Sequence, residues 1–158
     1  MSEQQSFLVF CVGAGRFALD VAVVERVVSA AEVTPLPDAP DPVLGVINIA
    51  GVLMPVINTR RYFTLPPRDM ELTDHFIVAR ASERPLVLLV DKAEGVVKLS
   101  GQAITAVVAG LPGSTSAVAT LPDGIVLIQD IDRVAAASGL GGKTGDTGRD
   151  SEIQDPNG

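Results

Sequence analysis

Between Val33 and Asn58 the chain reads Val-Thr-Pro-Leu-Pro-Asp-Ala-Pro-Asp-Pro-Val-Leu-Gly-Val-Ile-Asn-Ile-Ala-Gly-Val-Leu-Met-Pro-Val-Ile-Asn, and the first half of that stretch admits no helix. Pro35, Pro37, Pro40 and Pro42 recur at every second or third position. Each fixes φ and removes an amide donor, so ladder bonding is curtailed as well. Two β-branched runs follow, Val46 to Ile49 and Val52 to Ile57, split by Ala50-Gly51. The pattern predicts a β-hairpin delivered by a proline-stiffened crossing, with Gly45 and Gly51 as its hinges. No reactive side chain lies in the segment, which points to a chain that holds partners rather than one that turns over substrate.

The rest of the chain supplies the material for strands. Apolar residues make up 47% of the 158, yet there are five Phe, one Tyr and no Trp, so the core is built from Val, Ile, Leu and Ala. Valine is stiff at its first side-chain torsion and fits a pleated surface better than a helix. A chain of this length reads as one domain. Its net charge of −7 argues against a nucleic-acid groove or an anionic membrane as partner. The single cysteine, Cys11, excludes an internal disulfide and lies in an apolar run, where it reads as a small core residue. The polar start Met-Ser-Glu-Gln-Gln-Ser carries no basic-then-apolar leader, and no apolar run is long enough for a membrane span. A cytoplasmic protein is expected, with no direct membrane insertion.

Phe7 to Val12 reads as a strand covered on both faces, Gly13-Ala14-Gly15 as a turn, and Arg16 to Leu19 as the returning strand. Val21 to Val28 fits helix and strand templates equally. A strand is expected at Glu32 to Leu36, a helical turn at Asn58 to Phe63 before Pro66-Pro67, and a second hairpin from His75–Arg80 and Leu86–Val90 around Ser82 to Pro85. Further strands are expected at Gly95 to Leu99, Ile104 to Val108 and Ile125 to Ile128, the last leaving an Asp123-Gly124 turn. Asp130 or Asp132 can cap a terminal helix through about Ser138. From Gly139 to Gly158 the chain is Gly-rich and polar and reads as a disordered tail. About ten short strands at hairpin spacing indicate an antiparallel all-β architecture.

Chemical candidates are few. Gly13-Ala14-Gly15-Arg16-Phe17-Ala18 after an apolar strand satisfies the dinucleotide fingerprint, with Glu32 or Asp38 near the place of a ribose-binding acid. A nucleotide-binding unit needs a helix and a second parallel strand next, where this chain has its prolines, so a plain glycine turn is the stronger reading. His75, the one histidine, neighbours Asp74 but has no nucleophile-elbow motif to serve. Asp91 with Glu94 and Asp130 with Asp132 suit turns and caps, and no dense run of oxygen ligands supports a calcium loop. No enzyme activity, cofactor or metal is expected.

The pattern Thr34-Pro35-x-Pro37-x-Ala39-Pro40, Gly45-Val46-Ile47-Asn48-x-x-Gly51 and Pro55-Val56-Ile57 resembles the signature of the CheW family, the coupling proteins of bacterial chemotaxis. Phe7 to Val12, Phe17 to Leu19, Val87 to Val97 and Asp123 to Ile131 match similar segments, so the resemblance covers roughly residues 6 to 137. It implies two packed SH3-like five-stranded antiparallel β-barrels with a short C-terminal helix, forming a single CheW-like domain over 1–138. It further implies a non-enzymatic adaptor at membrane-associated receptor arrays, monomeric when isolated. One of its faces would receive the cytoplasmic tip of a chemoreceptor and another the regulatory domain of a CheA-type histidine kinase. By motif, Val24, Arg26, Gly45, Ala50 and Gly51 fall on the receptor side, while Val87, Ala93 and Val96 fall on the receptor or kinase surfaces. Typical members carry Asn-Leu-Arg-Gly where this chain has Asn48-Ile49-Ala50-Gly51, and an acid where Arg26 stands. Both members of that charge pair have changed, which bears on partner choice. A regulator of another protein outside chemotaxis, and a nucleotide binder through Gly13-Ala14-Gly15, are the alternatives.

Overall fold

A computed structural model describes residues 4–82, 84–106 and 113–140. Twelve strands occur among them: β1 (Gln4–Val12), β2 (Gly15–Asp20), β3 (Val24–Ser29), β4 (Thr34–Pro35), β5 (Val43–Ile49), β6 (Val52–Asn58), β7 (His75–Ala81), β8 (Arg84–Val90), β9 (Lys92–Ser100), β10 (Ile104–Ala106), β11 (Thr115–Leu121) and β12 (Gly124–Gln129). Two short helices complete the fold, α1 (Thr59–Tyr62) and α2 (Ile131–Ala137). The strands form two six-stranded sheets, ordered β10-β11-β12-β2-β1-β9 and β3-β7-β8-β6-β5-β4. The class is all-β with a short terminal helix, as expected. Each sheet has one strand more than the resemblance implied. The short pieces β4 and β10 each form one edge of their sheet, opposite β3 and β9, and β4 is cut to two residues by the prolines around it.

Strand alternation sorts the apolar residues into three cores. Phe7 and Val9 of β1 point into the first sheet's own core with Ala117, Ala119 and Val126. Phe76 and Val78 of β7 point into the second sheet's core with Met54, Val56, Val87 and Leu89. The intervening residues, Leu8, Phe10 and Val12 of β1 and Ile77, Ala79 and Ala81 of β7, meet in a shared core between the sheets, closed by Ile131, Val134 and Ala135 of α2. This is why β1, β7 and β8 read as unbroken apolar runs: both of their faces are covered. Phe17 and Phe63 stack at 4.0 Å and bring α1 onto the same core.

The ambiguous Val21–Val28 segment resolves into a 3-10 turn over Val21–Val23 and β3. Asp20 caps that turn, accepting from the Ala22 amide. The helical turn after the hairpin is α1, capped by Asn58, and α2 is capped by Asp130, whose Oδ1 accepts from the Asp132 and Arg133 amides. Three expectations need correcting. The strand foreseen over Glu32–Leu36 shrinks to Thr34–Pro35, since flanking prolines cannot donate to a ladder. β8 begins at Arg84, so Arg84 and Pro85 belong to the strand and not to the turn. β11 was not foreseen as a separate strand, because Thr115 to Leu121 mixes small and polar residues. Val107 and Val108 of the expected Ile104–Val108 strand lie outside the described residues. So does most of the expected tail, although Leu140 is described: it packs on the shared core, and its amide donates to the Ala135 carbonyl at 2.7 Å.

Candidate partner-binding surfaces

The hairpin β5–β6 forms as the sequence predicts. Ala50 at φ 53° and Gly51 at φ 86° make the two-residue turn with positive φ at both central positions, which matches the right-handed twist of its strands. Asn48 Oδ1 accepts from the Gly51 amide at 2.9 Å and ties the tip. Ala50 and Gly51 are exposed, and Val52 and Leu53 beside them stand out into solvent, Leu53 at 67%. Gly45 plays a different part from the hinge foreseen. It is buried within β5, and a Cβ there would lie 2.1 Å from the Thr34 carbonyl oxygen. Its role is to let the proline crossing lie directly against the hairpin.

On the opposite edge of the same sheet, Val24 is half-buried against the shared core and Arg26 is exposed. Simple strand alternation would put the neighbours Glu25 and Arg26 on opposite faces. A register shift between Val24 and Arg26 overturns this: Val24 pairs Ala79 and Arg26 pairs Val78, leaving Glu25 as the extra residue of a bulge. Glu25, Arg26 and Val27 are all exposed, and Glu25 accepts from Arg80 Nε at 2.8 Å. Arg26 forms no ion pair among the described residues.

Val87, Ala93 and Val96 lie in three different environments. Val87 is fully buried in the second sheet's core and offers no surface to a partner. Ala93 is half-buried, and its amide donates to His75 Nδ1 at 2.9 Å, joining β9 to β7 across the two sheets. Val96 is 59% exposed on β9, the last strand of the first sheet. The exposed candidates therefore fall into two groups. Arg26, Ala50 and Gly51 belong to the second sheet, and Val96 to the first.

Where the chain crosses between the sheets, at Asp91, the structure holds a charge cluster that sequence reasoning missed. Asp91 accepts from Arg60 Nη2 at 2.6 Å, from Arg68 Nη2 at 2.8 Å and from the Gly13 amide at 2.8 Å. Arg68 also reaches Asp74, whose side chain is only 5% exposed and which accepts from the Glu71 amide. Burial alone would raise the Asp91 pKa, but the hydrogen bonds from Arg60 and Gly13, with the charges of Arg60 and Arg68, outweigh it and hold the carboxyl below its usual range. The available signal was an acid closing the unbroken apolar run Leu86 to Val90. The same contact answers the dinucleotide fingerprint. The Gly13 amide is already given to a carboxylate, and β2 follows the turn antiparallel to β1, so no helix N-terminus faces it. Cys11 is half-buried beside this junction, and burial, reinforced by the charges of Glu94 and Asp91, pushes its thiol pKa up. Among the described residues no group of three His, Cys, Asp or Glu side chains is placed to hold a metal, and no helix is long and apolar enough to cross a membrane.

A family model described as the CheW-like domain matches residues 6–138. The chain is 28% identical over 100 residues to the chemotaxis protein CheW of Klebsiella aerogenes, covering 63% of this chain and 60% of that one. It is 31% identical over 83 residues to the CheW of Thermotoga maritima, covering 52% and 54%. The aligned stretch thus spans less than two thirds of these relatives. In fold, it is similar to the crystal structure of the scaffolding protein TtCheW from Thermoanaerobacter tengcongensis, with a TM-score of 0.74 at 22% identity over 80% of this chain and 89% of that one.

Proposed function

The chain belongs to the family of CheW-like domains, and from that premise we propose that it is a non-enzymatic adaptor coupling chemoreceptors to a CheA-type histidine kinase in the cytoplasm. The observation that carries this reading is the division of exposed candidate residues between the two sheets. A molecule that joins two partners needs two surfaces far enough apart to be occupied together, and neither surface needs a titrating group. The receptor surface comprises the hairpin tip at Ala50-Gly51 and the β3 edge at Val24 and Arg26. Val96 and the half-buried Ala93 belong to the kinase surface. Val87 and Gly45 act through packing, since neither has surface to offer.

Calorimetric titration of the isolated chain tests the proposal, first with a receptor cytoplasmic tip, then with the kinase regulatory domain, then with both. Binding to each, and a ternary complex, is the expected result. Binding to neither would leave a CheW-like regulator of some other protein. Arg26→Glu with Ala50→Arg restores the charges usual in the family. It should change which receptor tip is bound, with kinase binding within about twofold of wild type, because a reversed contact charge alters complementarity more than folding. Equal loss of both interactions would show misfolding, and no change in either would place these residues outside the receptor surface.

A further inference from the structure

An apolar groove lies apart from the candidate residues of β3 and β9. The ladder between the parallel strands β6 and β8 begins only at Val56 and Val87. Just before it, Pro55 pairs outward with Val46 of β5, and Pro85 pairs outward with Arg80 of β7. Neither proline has an amide to donate across the gap, so the two strands do not zip together there, and no added strand can complete a ladder along it. The result is a groove of about 220 Å³ lined by Leu53, Pro55 and Pro85, by Ala135 of α2 and by Leu140 just beyond that helix. Arg84 stands exposed on its rim and forms no ion pair among the described residues.

We propose that this groove is a docking site for a protein segment that presents a large apolar side chain flanked by carboxylates. The apolar walls take the side chain. Arg84 selects the flanking charge, and it does so against the background of a chain whose net charge of −7 repels acidic partners elsewhere. Because the prolines deny strand addition, recognition works through side chains and not through backbone pairing. The proposal does not rest on the adaptor reading: it holds or fails whether or not receptors and kinase bind.

Backbone amide NMR of the full isotope-labelled chain, titrated with a short acetylated peptide of Leu and Glu and with its counterpart carrying Lys for every Glu, tests it. The acidic peptide should shift Leu53, Ala81, Leu86, Ala135 and Leu140, and the basic peptide should bind roughly tenfold more weakly. Arg84→Glu should reverse that order, and Leu53→Ser should weaken the acidic peptide about tenfold or more. Equal binding of both peptides, shifts elsewhere, or no shift overturns the proposal. Movement of the same amides on diluting the protein alone would assign the groove to a second copy, and movement on deleting residues 141–158 would assign it to the chain's own end. Either result also overturns it.

Discussion

The two sheets share a ladder plan but use charge in opposite ways. Each has six strands with one short parallel contact, β12 with β2 in the first and β6 with β8 in the second. In the first sheet Arg16 bridges Glu94 and Asp123 at the surface, at 2.9 and 3.0 Å, with Asp123 72% exposed. At the second sheet's end, Arg60, Arg68, Asp74 and Asp91 form a cluster of similar distances that is largely withdrawn from water. Similar geometry in the two places carries different energies, because solvent screens the first network, with its exposed Asp123, more than the part-buried second one. The difference extends to the loops. The proline crossing, the protruding hairpin and the groove all belong to the second sheet, which carries most of the candidate contact surface, while the first sheet contributes Val96.

The sharpest way to break this comparison is at the glycines. Gly45→Val should destabilise the fold by about 3 kcal/mol in denaturant titration, since its side chain would be driven into the Thr34 carbonyl. In the first sheet Gly95 has open space around its missing Cβ and a φ of 135°, so Gly95→Ala should cost only the backbone strain, roughly 1–2 kcal/mol. Equal costs would mean the proline crossing is not held against the hairpin as described.

Asp91→Ala comes next, at about 2 kcal/mol, because it strands the partly buried Arg60 guanidinium and takes one of the two close carboxylates from Arg68, which keeps Asp74. Its pH dependence has a definite sign. The folded pKa of Asp91 lies below the unfolded one, so its contribution is complete above about pH 4 and is lost as pH falls through the lower folded value. The stability gap between wild type and Asp91→Ala should be flat from neutrality to mild acid and close only in strong acid. A gap that widened on acidification would show that the carboxyl is not the ionised hub described. The smallest effect is expected from Arg16→Ala, roughly 0.5 kcal/mol or less and shrinking with added salt. A cost matching that of Asp91→Ala would erase the contrast between the two networks.

What was legible in the sequence was whatever depends on short-range pattern. The Ala50-Gly51 turn, the helical turn from Asn58, a cap at Asp130 or Asp132, the doubly covered strand β1 and the β7–β8 hairpin follow from spacing and residue type alone. What was not legible depends on long-range register. The bulge at Glu25 inserts one residue and so cancels an argument from alternation, and nothing in Val-Glu-Arg-Val-Val announces it. Gly45 reads as a hinge until Thr34 is seen to lie against it. Asp91 gathers partners from Gly13, Arg60 and Arg68, a span no local motif covers.

The contact between Asp91 and the Gly13 amide means that this glycine turn carries its own resident anion. Taking that carboxylate away would leave an amide and two guanidiniums converging on one place, which is the donor set of an oxyanion receptor. Asp91→Ala is therefore open to chemical rescue: sulfate or phosphate in the buffer would occupy the vacated position and restore part of the lost stability. The same variant studied in chloride and in phosphate would give two different answers, and the difference between them would measure how well the protein's own side chain imitates a free anion.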